Sequence, residues 1–214
     1  MYRLFDTLFT AYGPQHWWPA DSSEEMMIGA ILVQNSSWQQ VSSVIQQLRQ
    51  QQLLSFLLIR QLPAETWWQL LHPVGFFRVK HRRLKALADF MAHFADQPSQ
   101  LFQSDSQSLR QALLAIPGIG KETADAILCY GAQRPLFVVD KYAQRLFSRL
   151  QWCTEITDYD TIQQMVHAAL PADAALLGEL HALIVQHGKL HCRKQANCPG
   201  CPIPFCPAAL GIVS

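Results

Sequence analysis

Apolar positions recur three and four residues apart along most of the chain, the spacing of one buried helix face. Leu4, Phe5, Leu8 and Phe9 mark a helix over residues 1–12, ended by Gly13-Pro14. Ser22, with Glu25 three residues on, reads as a capping box for a helix that turns Met27, Ala30 and Ile31 inward and stops near Gln34-Asn35. Ser37 caps the next, with Val41, Val44, Ile45 and Leu48 on one face. Pro63 opens a short helix holding Trp67, Trp68, Leu70 and Leu71, and residues 78–93 carry a stripe of Leu84, Leu87, Ala88 and Met91. Further helices are expected near 141–150, 159–169 and 172–187, with Gly188 as the C-cap of the last. Leu136 to Val139 is too short to build a sheet, so the pattern predicts an all-α fold.

The pattern breaks most informatively at Ile116-Pro117-Gly118-Ile119-Gly120, between a helix ending with Leu109 and Leu113 and one carrying Ala124, Ile127 and Leu128. Two glycines in such a hairpin permit positive φ and close approach of another backbone. Because the hairpin opens a helix, its amides and the helix dipole form an anion seat, to which Lys121 adds a cation. The same residues also suit an ordinary αα-turn. Downstream, Val138-Val139-Asp140 precedes the amphipathic run Tyr142, Leu146, Phe147, Leu150; Asp140 suits an N-cap there as well as a catalytic carboxylate. A second break is the aromatic loop Gln15-His16-Trp17-Trp18-Pro19, which reads either as a plug between helices or as a stacking surface for an extruded base, with Trp38 supplying a second face.

A formal net charge of +1 over 214 residues does not by itself argue for a polyanion. Its distribution does. Arg78, Lys80, Arg82, Arg83 and Lys85 come without an acid, and Asp140 is the only acid between residues 126 and 154, among Arg134, Lys141, Arg145 and Arg149. A basic face is one reading and solvated helix surfaces the other. No apolar run approaches the roughly 20 residues that span a bilayer, and Asp6 interrupts the N-terminus, so a soluble, intracellular protein is expected.

Near the C-terminus, Cys192, Cys198, Cys201 and Cys206 stand at C-x5-C-x2-C-x4-C. Four thiols so close in an intracellular chain point to metal rather than disulfides, zinc and a [4Fe–4S] cluster both accepting this donor set. Cys129 and Cys153 lie outside the motif and read as buried thiols.

IPGIGKETADAIL followed by VVDKYAQRLFSRL resembles the helix-hairpin-helix and catalytic-aspartate segment of the endonuclease III superfamily of DNA glycosylases. WWP and GAILVQNSSW resemble its 3-methyladenine DNA glycosylase III branch. The resemblance implies a two-lobed fold with a C-terminal iron–sulfur loop: residues 24–133 form a six-helix barrel-like domain with the hairpin, and 1–23 with 134–214 form a second helical lobe. It implies that Asp140 is catalytic and that Trp17 and Trp38 sandwich the base. Trp18 and Pro19 line the pocket, as does Lys189, a carbamylation candidate that equally suits the helix dipole. Gln34 would fill or probe the gap left by a flipped nucleotide with Asn35 also on the DNA, Phe76 would be the wedge with Phe77 next to it on the DNA, although both phenylalanines equally suit core packing, and Gly118, Ile119, Gly120, Lys121 and Thr123 would seat phosphate. Bifunctional members hold a Schiff-base lysine where this chain has Glu122, so the resemblance implies a glycosylase without lyase chemistry. The family's four-cysteine loop implies a [4Fe–4S] cluster in preference to zinc, although each longer gap here is one residue shorter than its usual pattern.

The resulting expectation is a monofunctional base-excision-repair enzyme, monomeric and cytoplasmic at the nucleoid. It would hydrolyse the N-glycosidic bond of alkylated purines such as 3-methyladenine in duplex DNA. Its rivals are a bifunctional glycosylase/lyase acting on oxidised pyrimidines through Lys121, and a non-catalytic DNA-damage binding protein.

Overall fold

The computed structural model describes residues 1–208 and 210. Among the described residues twelve α-helices follow one another: α1 (Tyr2–Tyr12), α2 (Ser23–Leu32), α3 (Trp38–Gln50), α4 (Phe56–Gln61), α5 (Ala64–Leu71), α6 (Phe77–Met91), α7 (Pro98–Leu101), α8 (Ser106–Leu114), α9 (Lys121–Ala126), α10 (Lys141–Arg149), α11 (Tyr159–Ala169) and α12 (Ala174–Leu190). No strand occurs among the described residues, so the protein is all-α. No described helix is long and apolar enough to cross a membrane. The chain divides into two compact units, Met1–Trp17 with Gln133–Ser214, and Trp18–Ala132.

In the unit spanning Trp18–Ala132, α2 is buried from Glu25 to Leu32. A helix apolar on nearly every side belongs inside a core rather than on its surface. Ser22 caps it by accepting from the Glu25 amide at 3.1 Å. The reciprocal half of the expected capping box does not form. The Glu25 carboxylate, 3 % exposed, instead takes two hydrogen bonds from Arg49 at 2.6 and 3.2 Å, because burial demands a partner for its charge. Ser37 and Gln40 do form a full box at the start of α3. Phe56 and Ile59 of α4, Trp67 of α5 and Leu84 and Leu87 of α6 complete this core.

In the other unit, Leu4 and Leu8 of α1 meet Phe147 of α10, Val166 of α11, and Leu180 and Ile184 of α12. The helix α12 does not stop at Gly188 as expected; it continues to Leu190 and is capped at His191. Gly188 is there for packing. A Cβ on it would lie 2.2 Å from Tyr142 Cδ1, so its missing side chain lets α10 and α12 approach closely.

Candidate active site and nucleic-acid interface

The segment from Arg134 to Asp140 belongs to no helix or strand. Side chains of α11 supply the partners a sheet would have given. His167 accepts from the Phe137 amide at 3.0 Å, Gln163 donates to the Phe137 carbonyl at 2.7 Å, and Tyr159 hydroxyl lies 3.4 Å from the Val139 amide. This holds the chain up to Asp140, which caps α10. Its Oδ1 accepts from the amides of Tyr142 at 2.9 Å and Ala143 at 2.8 Å. Its Oδ2 stands 3.7 Å from His181 Nε2, on the middle of α12, and both side chains are largely buried. Asp140 is thus both an N-cap and a carboxylate with one oxygen turned away from the cap. His181 escaped sequence reasoning: a lone histidine on an apolar helix gives no local signal. Lys189 is exposed in the last turn of α12. It lies eight residues beyond His181, which is about 12 Å along the axis.

In the other unit, Trp18 and Trp38 do come together, ring centroids 5.2 Å apart and edge to face. Tyr130 joins them, 5.8 Å from Trp18. The Trp18 indole lies over Gly29, where a Cβ would meet its Nε1 at 3.4 Å. Tyr130 was not singled out from sequence because it sits in a π-helical turn, Ile127–Gly131, where a 3.6-residue period places side chains wrongly. Pro19 is exposed beside Trp18. Trp17, half-buried, closes the first segment of the Asp140 unit.

The hairpin between α8 and α9 is built as its sequence implied, with two corrections. Only Gly118 has positive φ, at 92°. Gly120 is extended at φ −95°, which any residue adopts, and a Cβ there would meet nothing within 4 Å. Nothing inside the protein requires Gly120 to be glycine. Second, the Ile119 side chain is 5 % exposed and its amide donates to the Ile116 carbonyl at 3.1 Å, so it anchors the turn from within. Pro117, Gly118, Gly120, Lys121 and Glu122 are exposed; Thr123 is buried. Arg110 of α8 clamps Asp125 of α9 through two hydrogen bonds, at 2.6 and 3.0 Å, fixing the angle of the hairpin.

Phe76 is 70 % exposed and left-handed at φ 47°, directly after Gly75 at φ 67°. An aromatic residue in that conformation is strained, and such strain gathers at functional positions. Phe77 is half-buried against His72, centroids 5.3 Å apart. Asn35, also left-handed at φ 55°, is exposed. Gln34 is held at both ends of its amide: the nitrogen donates to Gly118 O at 3.1 Å and Thr123 Oγ1 at 2.9 Å, while Arg83 donates to its oxygen.

The basic runs are less solvated than their sequence suggested. Lys80 is 1 % exposed. Arg145 donates to the Cys192 carbonyl at 2.7 Å, and Arg149 donates to the carbonyls of Arg193 and Lys194 at 2.8 and 3.0 Å and to Cys192 Sγ at 3.1 Å. These two arginines hold the cysteine loop in place.

Cys192, Cys198, Cys201 and Cys206 line a single small cavity with His187 and Arg149, and none is in a disulfide. Burial, then the neighbouring thiols, push the Cys201 thiol up. Four thiols in mutual electrostatic reach, with an arginine donating to one of them, fit a site that stabilises thiolates bound to metal. Among the described residues no group is arranged to hold a single ion. Cys129 is buried, and its thiol is pushed up to about 12 by burial and then by Asp125. Cys153 is only half-buried.

An all-helical chain with a glycine hairpin, a helix-capping aspartate beyond it and a terminal four-cysteine loop defines a class, and the comparisons agree. Residues 28–171 match the model of the HhH-GPD superfamily base excision DNA repair proteins, and the chain belongs to that family. A protein of Methanocaldococcus jannaschii, named provisionally as a DNA repair glycosylase, is 41 % identical across 96 % of this chain and 95 % of its own. The structure of H. pylori 3-methyladenine DNA glycosylase bound to 1,N6-ethenoadenine superposes with a TM-score of 0.73 at 26 % identity, covering 88 % of this chain and 96 % of that one. A trapped endonuclease III–DNA covalent intermediate shares the fold at TM-score 0.84 and 19 % identity, over 99 % and 96 % of the two chains.

Proposed function

We propose that this member is a monofunctional DNA glycosylase that hydrolyses the N-glycosidic bond of alkylated purines, 3-methyladenine foremost, turned out of duplex DNA. The observation that carries this reading is the half-buried aromatic group of Trp18, Trp38 and Tyr130 over Gly29. Alkylated purines are cationic or already weakly bonded to the sugar. Indole and phenol faces attract such rings by about 0.5–2 kcal/mol each, so discrimination needs no strong general acid. The likeness to the H. pylori enzyme points the same way.

In the reaction water adds to C1′ and the C1′–N bond breaks, its electron pair leaving with the base. Asp140 Oδ2 faces developing positive charge on the sugar or receives the proton of the attacking water, while Oδ1 stays on the α10 amides. Gly120 and Lys121 seat a phosphate, which accounts for a glycine that the protein's own packing does not require. Phe76 serves as the wedge, and Asn35 is an exposed polar residue that would meet the DNA. Cys192, Cys198, Cys201 and Cys206 would hold a [4Fe–4S] cluster, which would cross-link the C-terminal loop, and Arg193 and Lys194 of that loop would meet phosphate. Glu122 occupies the position of the lyase lysine, so the strand stays intact. Borohydride treatment with damaged or abasic duplex tests that point. No covalent adduct is expected; an adduct lost on substitution of Lys121 would establish the bifunctional reading instead.

A further inference from the structure

Lys80 lies on α6 one turn from Phe76 and is 1 % exposed. Its ammonium donates to the Val74 carbonyl at 2.8 Å and to Ser36 Oγ, and Ser36 Oγ in turn donates to the same Val74 carbonyl at 2.6 Å. Val74 belongs to the turn that delivers Gly75 and Phe76; Ser36 follows Asn35. One turn further along α6, Arg83 holds Gln34 and packs beneath Gly118, where a Cβ would come within 2.4 Å of its Cγ. A single helix therefore grips the Phe76 turn, the Gln34–Ser36 loop and the hairpin. No acid pairs with Lys80 among the described residues, and Arg83 is its charged neighbour. A buried ammonium without a carboxylate costs stability that an apolar side chain of equal length would recover. The fold gives no reason for the charge.

We propose that Lys80 is a positioning residue that couples the Phe76 turn to the Gln34–Ser36 loop, so that the two enter the duplex as one element. The inference rests on reading Phe76 as the wedge, but not on which lesion is excised. Uncoupled, each loop would have to find its inserted conformation separately.

The experiment measures 2-aminopurine fluorescence beside a tetrahydrofuran abasic site in duplex DNA, with the wild type, Phe76→Ala, Lys80→Met, Ser36→Ala and the Lys80→Met/Phe76→Ala pair. Thermal midpoints are taken alongside. The expected result for Lys80→Met is an unchanged or higher midpoint with a roughly tenfold slower rise in fluorescence, the scale of coupling between residues in one network. Ser36→Ala is expected to slow the rise in the same direction. The double variant is expected to be no slower than Phe76→Ala, because Lys80 acts through that turn. A Lys80→Met protein that opens the duplex at the wild-type rate while Phe76→Ala fails would overturn the coupling. So would rate losses that multiply in the double variant. If Phe76→Ala opens the duplex normally, the wedge reading falls and the coupling with it, whereas failure to release 3-methyladenine leaves this experiment's outcome intact.

Discussion

At the scale of single residues, Asp140 shows how one side chain serves fold and chemistry together. Its sequence context allowed both an N-cap and a catalytic carboxylate; the structure gives the cap to Oδ1 and leaves Oδ2 toward His181. Asparagine caps helices about as well as aspartate, so Asp140→Asn should keep its melting temperature and DNA affinity. Single-turnover base release should fall by about 10²–10⁴-fold, the usual worth of a lost general base. The hairpin glycines divide in the same way. Gly118→Ala meets both a positive φ and the Arg83 side chain, and urea unfolding should show a loss of more than about 1 kcal/mol. Gly120→Ala should unfold like the wild type yet bind duplex DNA more weakly, since the added methyl faces outward. Equal effects of the two would contradict the assignment of Gly120 to an external ligand.

At the scale of elements, the periodic helices were legible, because an apolar stripe of period 3.6 is written directly in residues such as Val41, Val44, Ile45 and Leu48. The short helices α4 and α7 were not, having too few turns for a period to declare itself. Nor was the π-helical turn that presents Tyr130. The extension of α12 through Gly188 was missed for another reason: a glycine that permits close packing and one that ends a helix look alike until the neighbouring Tyr142 is known. Charges misled most. Lys80, Arg83, Arg145 and Arg149 read as a basic surface, yet all four are engaged within the protein, which only long-range contacts reveal.

Lys80 gives this scale its own prediction. Burial, with Arg83 nearby, lowers its pKa from an ordinary 10.5 to about 8. Below pH 8 the folded and unfolded chains both hold the proton, and the full cost of burial is present. Between about pH 8 and 10.5 the folded protein releases it first, the unfolded chain binds more protons, and stability rises with pH relative to a chain lacking the group. Melting temperatures of the wild type and Lys80→Met, compared from pH 7 to 10, should therefore shift in favour of the wild type as pH rises. A difference independent of pH would show that the ammonium is not desolvated.

At the scale of the molecule, each unit carries its own share of the proposed chemistry: Asp140 and the cysteine loop in one, and the aromatic group, the hairpin and the wedge in the other. Family membership follows from the whole chain rather than from any one motif. Iron and sulfide analysis of the purified protein should find a [4Fe–4S] complement, and Cys198→Ser should lose it while leaving helical content near that of the wild type, because the loop lies beyond α12. Stoichiometric zinc in place of iron would contradict the cluster.

The central claim concerns the base that is released. Purified protein should be incubated with methylated duplex DNA, and the free bases identified by chromatography while strand integrity is followed on a denaturing gel. Free 3-methyladenine with intact strands, abolished by Asp140→Asn, is the predicted result. Bound DNA with no released base, or strand cleavage accompanying release, would contradict it.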